Sequence, residues 1–132
     1  MIDQDHPETP RPKVLVVDDE DMIRSYIKRV LESKGYQVLS AASAKEGFEL
    51  YQGHHPGVVL TDILMTDKDG IEFISQLKQL DSNAHIIAMS GGGRMGPDSP
   101  YLMTALMLGA EAALHKPFAP GTLLRQISRM TA

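Results

Sequence analysis

Residues 13–21 read KVLVVDDED, and this stretch decides the predicted fold. Its first part, Lys13 to Val17, is mostly aliphatic and does not alternate between apolar and polar side chains, which is typical of a parallel strand buried on both faces. Four acidic residues follow at once, beginning with Asp18 and Asp19. The stretch therefore predicts a buried strand whose carboxyl end carries a cluster of negative charge.

The same pattern continues outward from this strand, because short apolar runs alternate with segments of helical spacing along the chain. Ser43 is placed to cap the second helix, and Gly35 and Gly109 are placed to end the first and fourth helices. Five such pairs predict an α/β fold, a doubly wound five-stranded parallel sheet in the order 2-1-3-4-5 with helices on both faces. Strands are expected at residues 13–17, 36–40, 58–60, 84–89 and 111–114.

Length and composition set the outer limits of the prediction. A chain of 132 residues fits one domain, here residues 13–132, since a compact unit usually runs to about 100 to 150 residues. Residues 1–12 carry three prolines without periodicity and are predicted to be a flexible leader. No run is apolar enough to cross a bilayer and the polar start does not resemble a secretory signal, so a cytoplasmic protein without a membrane anchor is expected.

Two classes of function are disfavoured by composition. The chain has no cysteine, which removes disulfide scaffolds and thiolate metal sites. Its formal net charge is −4 and no lysine or arginine cluster stands out, which argues against a nucleic-acid partner. His54 and His55 are adjacent residues of a predicted loop and are interpreted as solvated side chains, not as a zinc site.

Chemically active side chains follow the predicted strands at their carboxyl ends. Asp18 and Asp19 follow the first strand, Asp62 the third, Ser90 the fourth and Lys116 the fifth. Ligands of open α/β sheets bind beyond the carboxyl ends of the strands, so these five residues are expected to converge on one edge. Helix capping would be the ordinary interpretation of the acidic pair on its own.

Three carboxylates in one crevice repel each other unless a cation or protons relieve them. Hard oxygen ligands of this kind suit Mg²⁺, which also accepts a phosphate oxygen. Lys116 and Ser90 add a positive charge and a hydroxyl donor for further phosphoryl oxygens. Asp62, with no second carboxylate beside it, is the candidate nucleophile for an aspartyl phosphate.

These residues resemble the response-regulator receiver family from about Lys13 to the end of the chain. The resemblance rests on VVDDED, VVLTDILMTDKDG, Ser90 after an apolar strand, and HKPF. It implies that Asp62 accepts a phosphoryl group from a phosphohistidine, carried by a sensor histidine kinase or a histidine phosphotransfer protein. Ser90 and Lys116 would then sense the phosphate.

The resemblance also implies how the metal is held and how the signal leaves. Asp18, Asp19, Asp62 and the backbone carbonyl of Leu64 would arrange Mg²⁺, and the bond from Lys116 to the following proline would be cis. Output would come through phosphorylation-dependent contact with a downstream protein, from a monomer or weak dimer. The chain would not be an enzyme beyond its own phosphorylation and dephosphorylation.

Two positions and one loop depart from the family pattern. An aromatic residue often stands three positions before the lysine and moves inward on phosphorylation, but here that position is Ala113. Thr66 replaces a proline often found four residues after the phosphoacceptor. The long loop that begins with Gly91, Gly92 and Gly93 leads to the hypothesis that this loop carries the signal.

Two rival functions remain at this stage. A phosphatase of the haloacid-dehalogenase type also uses an aspartate, magnesium and a lysine, but its nucleophile would lie on the first strand in a DxDx[TV] pattern, where this chain has DDED. A phosphate-independent adaptor on the receiver fold is the other alternative, and the alanine at position 113 is compatible with it.

Overall fold

The computed structural model describes residues 12–65, 70–91 and 100–131. Residues 1–11 of the predicted leader, Thr66 and residues 92–99 of the glycine-rich loop lie outside these ranges, so the predictions for them are not tested. The described chain alternates five strands with five helices: β1 Lys13–Val17, α1 Asp21–Glu32, β2 Gln37–Ala41, α2 Ala44–His54, β3 Val58–Asp62, α3 Gly70–Leu80, β4 Ile86–Ser90, α4 Pro100–Leu108, β5 Ala112–His115 and α5 Pro120–Thr131.

The five strands form one parallel sheet in the order β2-β1-β3-β4-β5, which confirms the predicted fold and strand order. β1 begins and ends where the apolar run predicted. The other strands end one or two residues later than expected, because backbone pairing continues past the aliphatic residues. Asp62 pairs with Met89, and Ser90 pairs with His115.

Two apolar cores cover the two faces of the sheet. Alternate residues of each strand point to opposite faces, so Leu15 and Val17 join the core formed with α2, α3 and α4. Val14 and Val16 join the core formed with α1 and α5. A sheet buried on both faces leaves its edge at the carboxyl ends of the strands as the place for polar side chains.

The predicted helix boundaries are confirmed by their local geometry. Ser43 Oγ accepts a hydrogen bond from Glu46 N at 3.1 Å and caps α2. Gly35 and Gly109 adopt φ values of 90° and 124° after α1 and α4, where a side chain would be strained. None of the described helices has both the length and the hydropathy to cross a membrane.

α4 differs from the other helices because its sequence, PYLMTALML, carries no charged residue. It buries Leu102 and Ala105 against the sheet. Leu106 is 42% exposed, and Met107 is 84% exposed. The helix therefore presents a broad apolar surface next to β5.

Candidate functional site

The structure brings the five predicted site residues to the same edge of the sheet. Asp62 and Ser90 are the last residues of β3 and β4. Asp18 and Asp19 follow β1 directly, and Lys116 follows β5. Since all strands are parallel, these positions share the carboxyl edge that the sequence predicted.

The ammonium group of Lys116 joins three carboxylates. Its Nζ donates to Asp18 Oδ2 at 2.7 Å, to Glu20 Oε1 at 3.1 Å and to Asp62 Oδ2 at 3.3 Å. The lysine side chain is only 10% exposed, whereas that of Glu20 is 60% exposed. Glu20 was not predicted as a site residue, although its place within DDED was a sequence signal for it.

Asp18 is held firmly by its neighbours. Its side chain is fully buried, and its second oxygen, Oδ1, accepts a hydrogen bond from Glu20 N at 2.9 Å. Its backbone N donates to Ala41 O, and Arg24 Nη1 donates to its carbonyl oxygen at 2.6 Å. Both carboxylate oxygens thus have short partners, so Asp18 is a fixed part of the site.

Asp62 is restrained much less. Its two oxygens have contacts at 3.3 Å, from Lys116 Nζ, and at 3.4 Å, from Leu64 N. Both distances lie beyond the range of about 2.7 to 3.2 Å that is usual for N–H donors. The carboxylate is nearly buried yet loosely bound, which leaves its oxygens available for a reaction.

Burial and neighbouring charges shift the pKa values of Asp62 and Lys116. Burial raises the pKa of Asp62; Lys116 opposes the rise, and the negative charge of Asp18 adds to it. Burial tends to lower the pKa of Lys116, but the bond to Asp18 and the charges of Asp62 and Asp18 raise it overall. The lysine therefore stays charged, while the aspartate pays an electrostatic penalty for ionising.

The acidic residues fit a divalent cation. Asp18, Asp19 and Asp62 each offer a carboxylate oxygen, and these oxygens lie within 4.8 Å of one another. With the Lys116 ammonium the group has a formal charge of −2, which one divalent ion would balance. An all-oxygen donor set suits Mg²⁺. The expected ligand role of the Leu64 carbonyl stays a prediction.

Ser90 has a partner that the sequence analysis missed. Its side chain is fully buried, and its Oγ lies 2.6 Å from Nδ1 of His115, the exposed last residue of β5. The histidine stands directly before Lys116 in HKPF. Aligning the ends of the two predicted strands would have indicated this pair, since neighbouring residues of parallel strands share a face.

Ala113, which departs from the aromatic residue of the family pattern, lies within β5. Ala113 pairs with Ala88 on the face covered by α3 and α4, and its methyl group is partly buried there. The chain thus has a methyl group at the position where the family often has an aromatic ring. The bond from Lys116 to Pro117 is cis, as the resemblance implies.

Replacing Asp62 with asparagine is expected to raise the free energy of unfolding in metal-free buffer at neutral pH by on the order of 1 kcal/mol, a usual size for a single substitution. The raised pKa of Asp62 means that the folded state binds this proton more tightly than the unfolded state. Stability is therefore lost as the pH rises from the ordinary carboxyl range through the raised pKa. An asparagine cannot ionise and avoids this loss.

Urea denaturation with EDTA, repeated at several pH values, measures the effect, and the gain should shrink as the pH falls. Asp81→Asn is the matched control with the opposite sign. The backbone N–H of Asn83 and the hydroxyl of Tyr51 lower the pKa of Asp81, so its ionised form favours the folded state. A neutral-pH loss of stability in Asp62→Asn would contradict the prediction.

The strand order and the acidic edge with Lys116 define a receiver-type α/β domain. The chain belongs to the response regulator receiver domain family, whose model matches residues 14–128. This match covers the sheet except for Lys13, the first residue of β1, and includes every predicted site residue. It fits two-component signalling as the broad role. The haloacid-dehalogenase interpretation is not supported.

The similarity extends to proteins and structures of known type. The chain is 32% identical to the chemotaxis protein CheY of Bacillus subtilis, over 89% of this chain and 95% of that protein. It is 31% identical to sporulation initiation phosphotransferase F of the same organism, over 80% and 82% of the two chains. The chemotaxis response regulator CheY4 of Vibrio cholerae is 30% identical with a TM-score of 0.79, over 91% and 98%.

Proposed function

We propose that this chain takes a phosphoryl group onto Asp62 from the phosphohistidine of a sensor kinase or phosphotransfer protein, with Mg²⁺ bound. The observation that carries the proposal is the ammonium of Lys116, whose side chain is 10% exposed and lies between the well-fixed Asp18 and the loosely bound Asp62. A receiver needs both a rigid anchor for charge and an aspartate that is free to react. Asp18 has the rigid carboxylate, and Asp62 has the loosely bound one.

In the proposed step, an oxygen of Asp62 attacks the phosphorus and forms an O–P bond. The P–N bond to the donor histidine breaks, and its electron pair returns to the imidazole. Lys116 stays charged, because its pKa is raised, and its ammonium offsets the negative charge that the phosphoryl group brings. Ser90 lies at the next strand end, where its hydroxyl can donate to a phosphoryl oxygen.

The metal would be held by Asp18, Asp19 and Asp62, with the carbonyl of Leu64 as the further expected ligand. Bound Mg²⁺ supplies positive charge at the phosphoryl oxygens and relieves the repulsion among the acids. Asp18 would be the most rigid of these ligands, because hydrogen bonds at both of its carboxylate oxygens fix the side chain.

Output would pass to a downstream protein through the surface formed by α4, β5 and α5. The exposed apolar side chains of α4 support this part of the proposal, since contiguous exposed apolar surface is typical of protein contacts. They are Tyr101, Met103, Leu106, Met107 and Leu108.

Acetyl phosphate is a small donor that tests the proposal without the unknown kinase. The native protein is expected to gain the mass of one phosphoryl group when Mg²⁺ is present and none when EDTA replaces it. Asp62→Asn should gain none under either condition, because it lacks the attacking oxygen. Intact-protein mass spectrometry measures all of these outcomes.

Asp81→Asn is the control, since Asp81 lies outside the acidic site and the variant should be modified like the native protein. Equal modification of the Asp62→Asn variant would contradict the assignment of the acceptor. Fluoroberyllate is a stand-in for the phosphoryl group. If acetyl phosphate does not modify the native protein and fluoroberyllate causes no conformational change, the phosphate-independent adaptor is favoured.

A further inference from the structure

We propose that His115 is the positioning residue for the Ser90 hydroxyl, and that its imidazole transmits phosphorylation to the α4–β5 surface. This inference rests on the proposed function. It deepens that function by naming the group that takes over where the family's usual aromatic residue is absent at Ala113. His115 is not assigned a role in the chemical step.

The geometry supports the pairing. Ser90 and His115 are direct neighbours across β4 and β5, and their side chains meet at 2.6 Å between Oγ and Nδ1. Ser90 is fully buried whereas His115 is exposed, so the bond connects the interior of the site to the surface. A buried hydroxyl without this partner would lose a favourable contact.

The position of His115 matches the direction that a signal has to take. Side chains two residues apart on a strand lie on the same face, so His115 shares the face of Ala113. That face packs against α3 and α4. The imidazole thus lies on the same face of the sheet as the side chain at position 113, where the family often has an aromatic residue that moves on phosphorylation. Along β5 it is two residues nearer to the phosphoryl site.

The hydroxyl of Ser90 has a single hydrogen, so it can donate either to the phosphoryl group or to His115. This choice couples phosphorylation to His115. Phosphoryl oxygens only accept hydrogen bonds, so Ser90 must direct this hydrogen towards the phosphate when it binds. The bond to His115 then survives only if Nδ1 carries a hydrogen and donates to Oγ. In the proposal, Ser90 donates to a Nδ1 that carries no hydrogen in the unphosphorylated protein. Phosphorylation then changes either the tautomer of His115 or its side-chain orientation.

Proton–nitrogen correlation spectra of the histidine rings test this proposal, because they report which ring nitrogen carries hydrogen. Fluoroberyllate with Mg²⁺ stands in for the phosphoryl group. We expect the Nδ1 signal of His115 to change on addition, while His85 keeps its signals. His85 is the internal control, since it pairs with Glu111 outside the site.

The backbone amides of Thr61, Asp62 and Leu64 separate failure of this inference from failure of the proposed function. If these amides do not shift, fluoroberyllate has not bound and the proposed function fails. If they shift while both ring nitrogens of His115 are unchanged, the proposed function stands and the role of His115 is overturned.

Two variants give an independent affinity test. His115→Ala removes the competitor for the hydroxyl, and we expect about 2- to 10-fold tighter binding of fluoroberyllate, the range that one net hydrogen bond allows. His115→Asn, whose short amide can replace Nδ1, should return the affinity towards that of the native protein. The exposed position of His115 makes loss of folding in these variants unexpected.

Unchanged or weaker binding by His115→Ala would contradict the proposal. His85→Ala serves as the matched substitution and should leave the affinity within error of the native value. In Ser90→Ala, the His115 ring signals should no longer respond to fluoroberyllate, and a persisting response would overturn the route through Ser90.

Discussion

Lys116→Met is expected to lower the free energy of unfolding in metal-free buffer by about 3–5 kcal/mol, the usual cost of removing one partner from a buried ion pair. The substitution keeps the apolar stem but leaves Asp18, which is fully buried, and Asp62, which is 12% exposed, without their shared ammonium. Stabilities of small domains are about 5–15 kcal/mol, so the change is large.

Magnesium should reverse part of this loss. The cation would bind to the same carboxylates and supply the positive charge that the methionine lacks, so saturating Mg²⁺ should stabilise Lys116→Met more than the native protein. Urea denaturation of both proteins, in EDTA and in Mg²⁺, gives the four free energies that are needed. A similar Mg²⁺ gain in the two proteins would argue against a shared site.

Lys28→Met is the matched control. Lys28 lies 3.8 Å from Glu32 on α1, and both side chains are about half exposed. Such surface pairs contribute about 0–1 kcal/mol, so the same chemical change should have little effect there. Losses of equal size at positions 28 and 116 would contradict the electrostatic explanation.

Much of this fold was predictable because its signals are local. The run from Lys13 to Val17 fixed the bounds of β1, and Gly35 and Gly109 marked helix ends through a backbone conformation that glycine tolerates. The convergence of Asp18 and Asp62 followed from one rule of parallel sheets. None of these inferences required knowledge of which side chains touch.

The remaining features depend on contacts that sequence spacing does not encode. α4 has no charged residue, so its apolar pattern could not show that Ala105 is buried and Leu106 is exposed. Ser90 and His115 each lie one residue beyond a predicted strand end. Aligning those ends indicates that the two residues pair, but not that their side chains meet at Oγ and Nδ1.

Gly70→Ala is expected to be among the most damaging single-methyl substitutions in the described chain, with a loss of about 3 kcal/mol in the free energy of unfolding, as for severe overpacking. A Cβ at Gly70 would lie 1.9 Å from the carbonyl oxygen of Asp62 and 2.7 Å from Cα of Ile63. These are backbone atoms and cannot move aside by a change of rotamer.

Two other glycines provide a graded control for urea denaturation. At Gly47 the new Cβ would meet the Val17 side chain at 2.8 Å, and a side chain can adjust, so a smaller loss is expected. At Gly53, within α2, nothing lies within 4 Å, and alanine should add roughly 0.5–1 kcal/mol. Equal effects at all three positions would contradict the steric explanation.

The substitution at Gly70 also tests how closely the nucleophile depends on its backbone. Relief of the clash requires the main chain at Asp62 to shift, and a misplacement of about 1 Å can slow a reaction roughly 100-fold. Acetyl phosphate uptake by Gly70→Ala should therefore fall well below that of Gly47→Ala, under conditions where both remain folded. Equal uptake rates would show that the Asp62 carboxylate keeps its position while the chain around Gly70 adjusts.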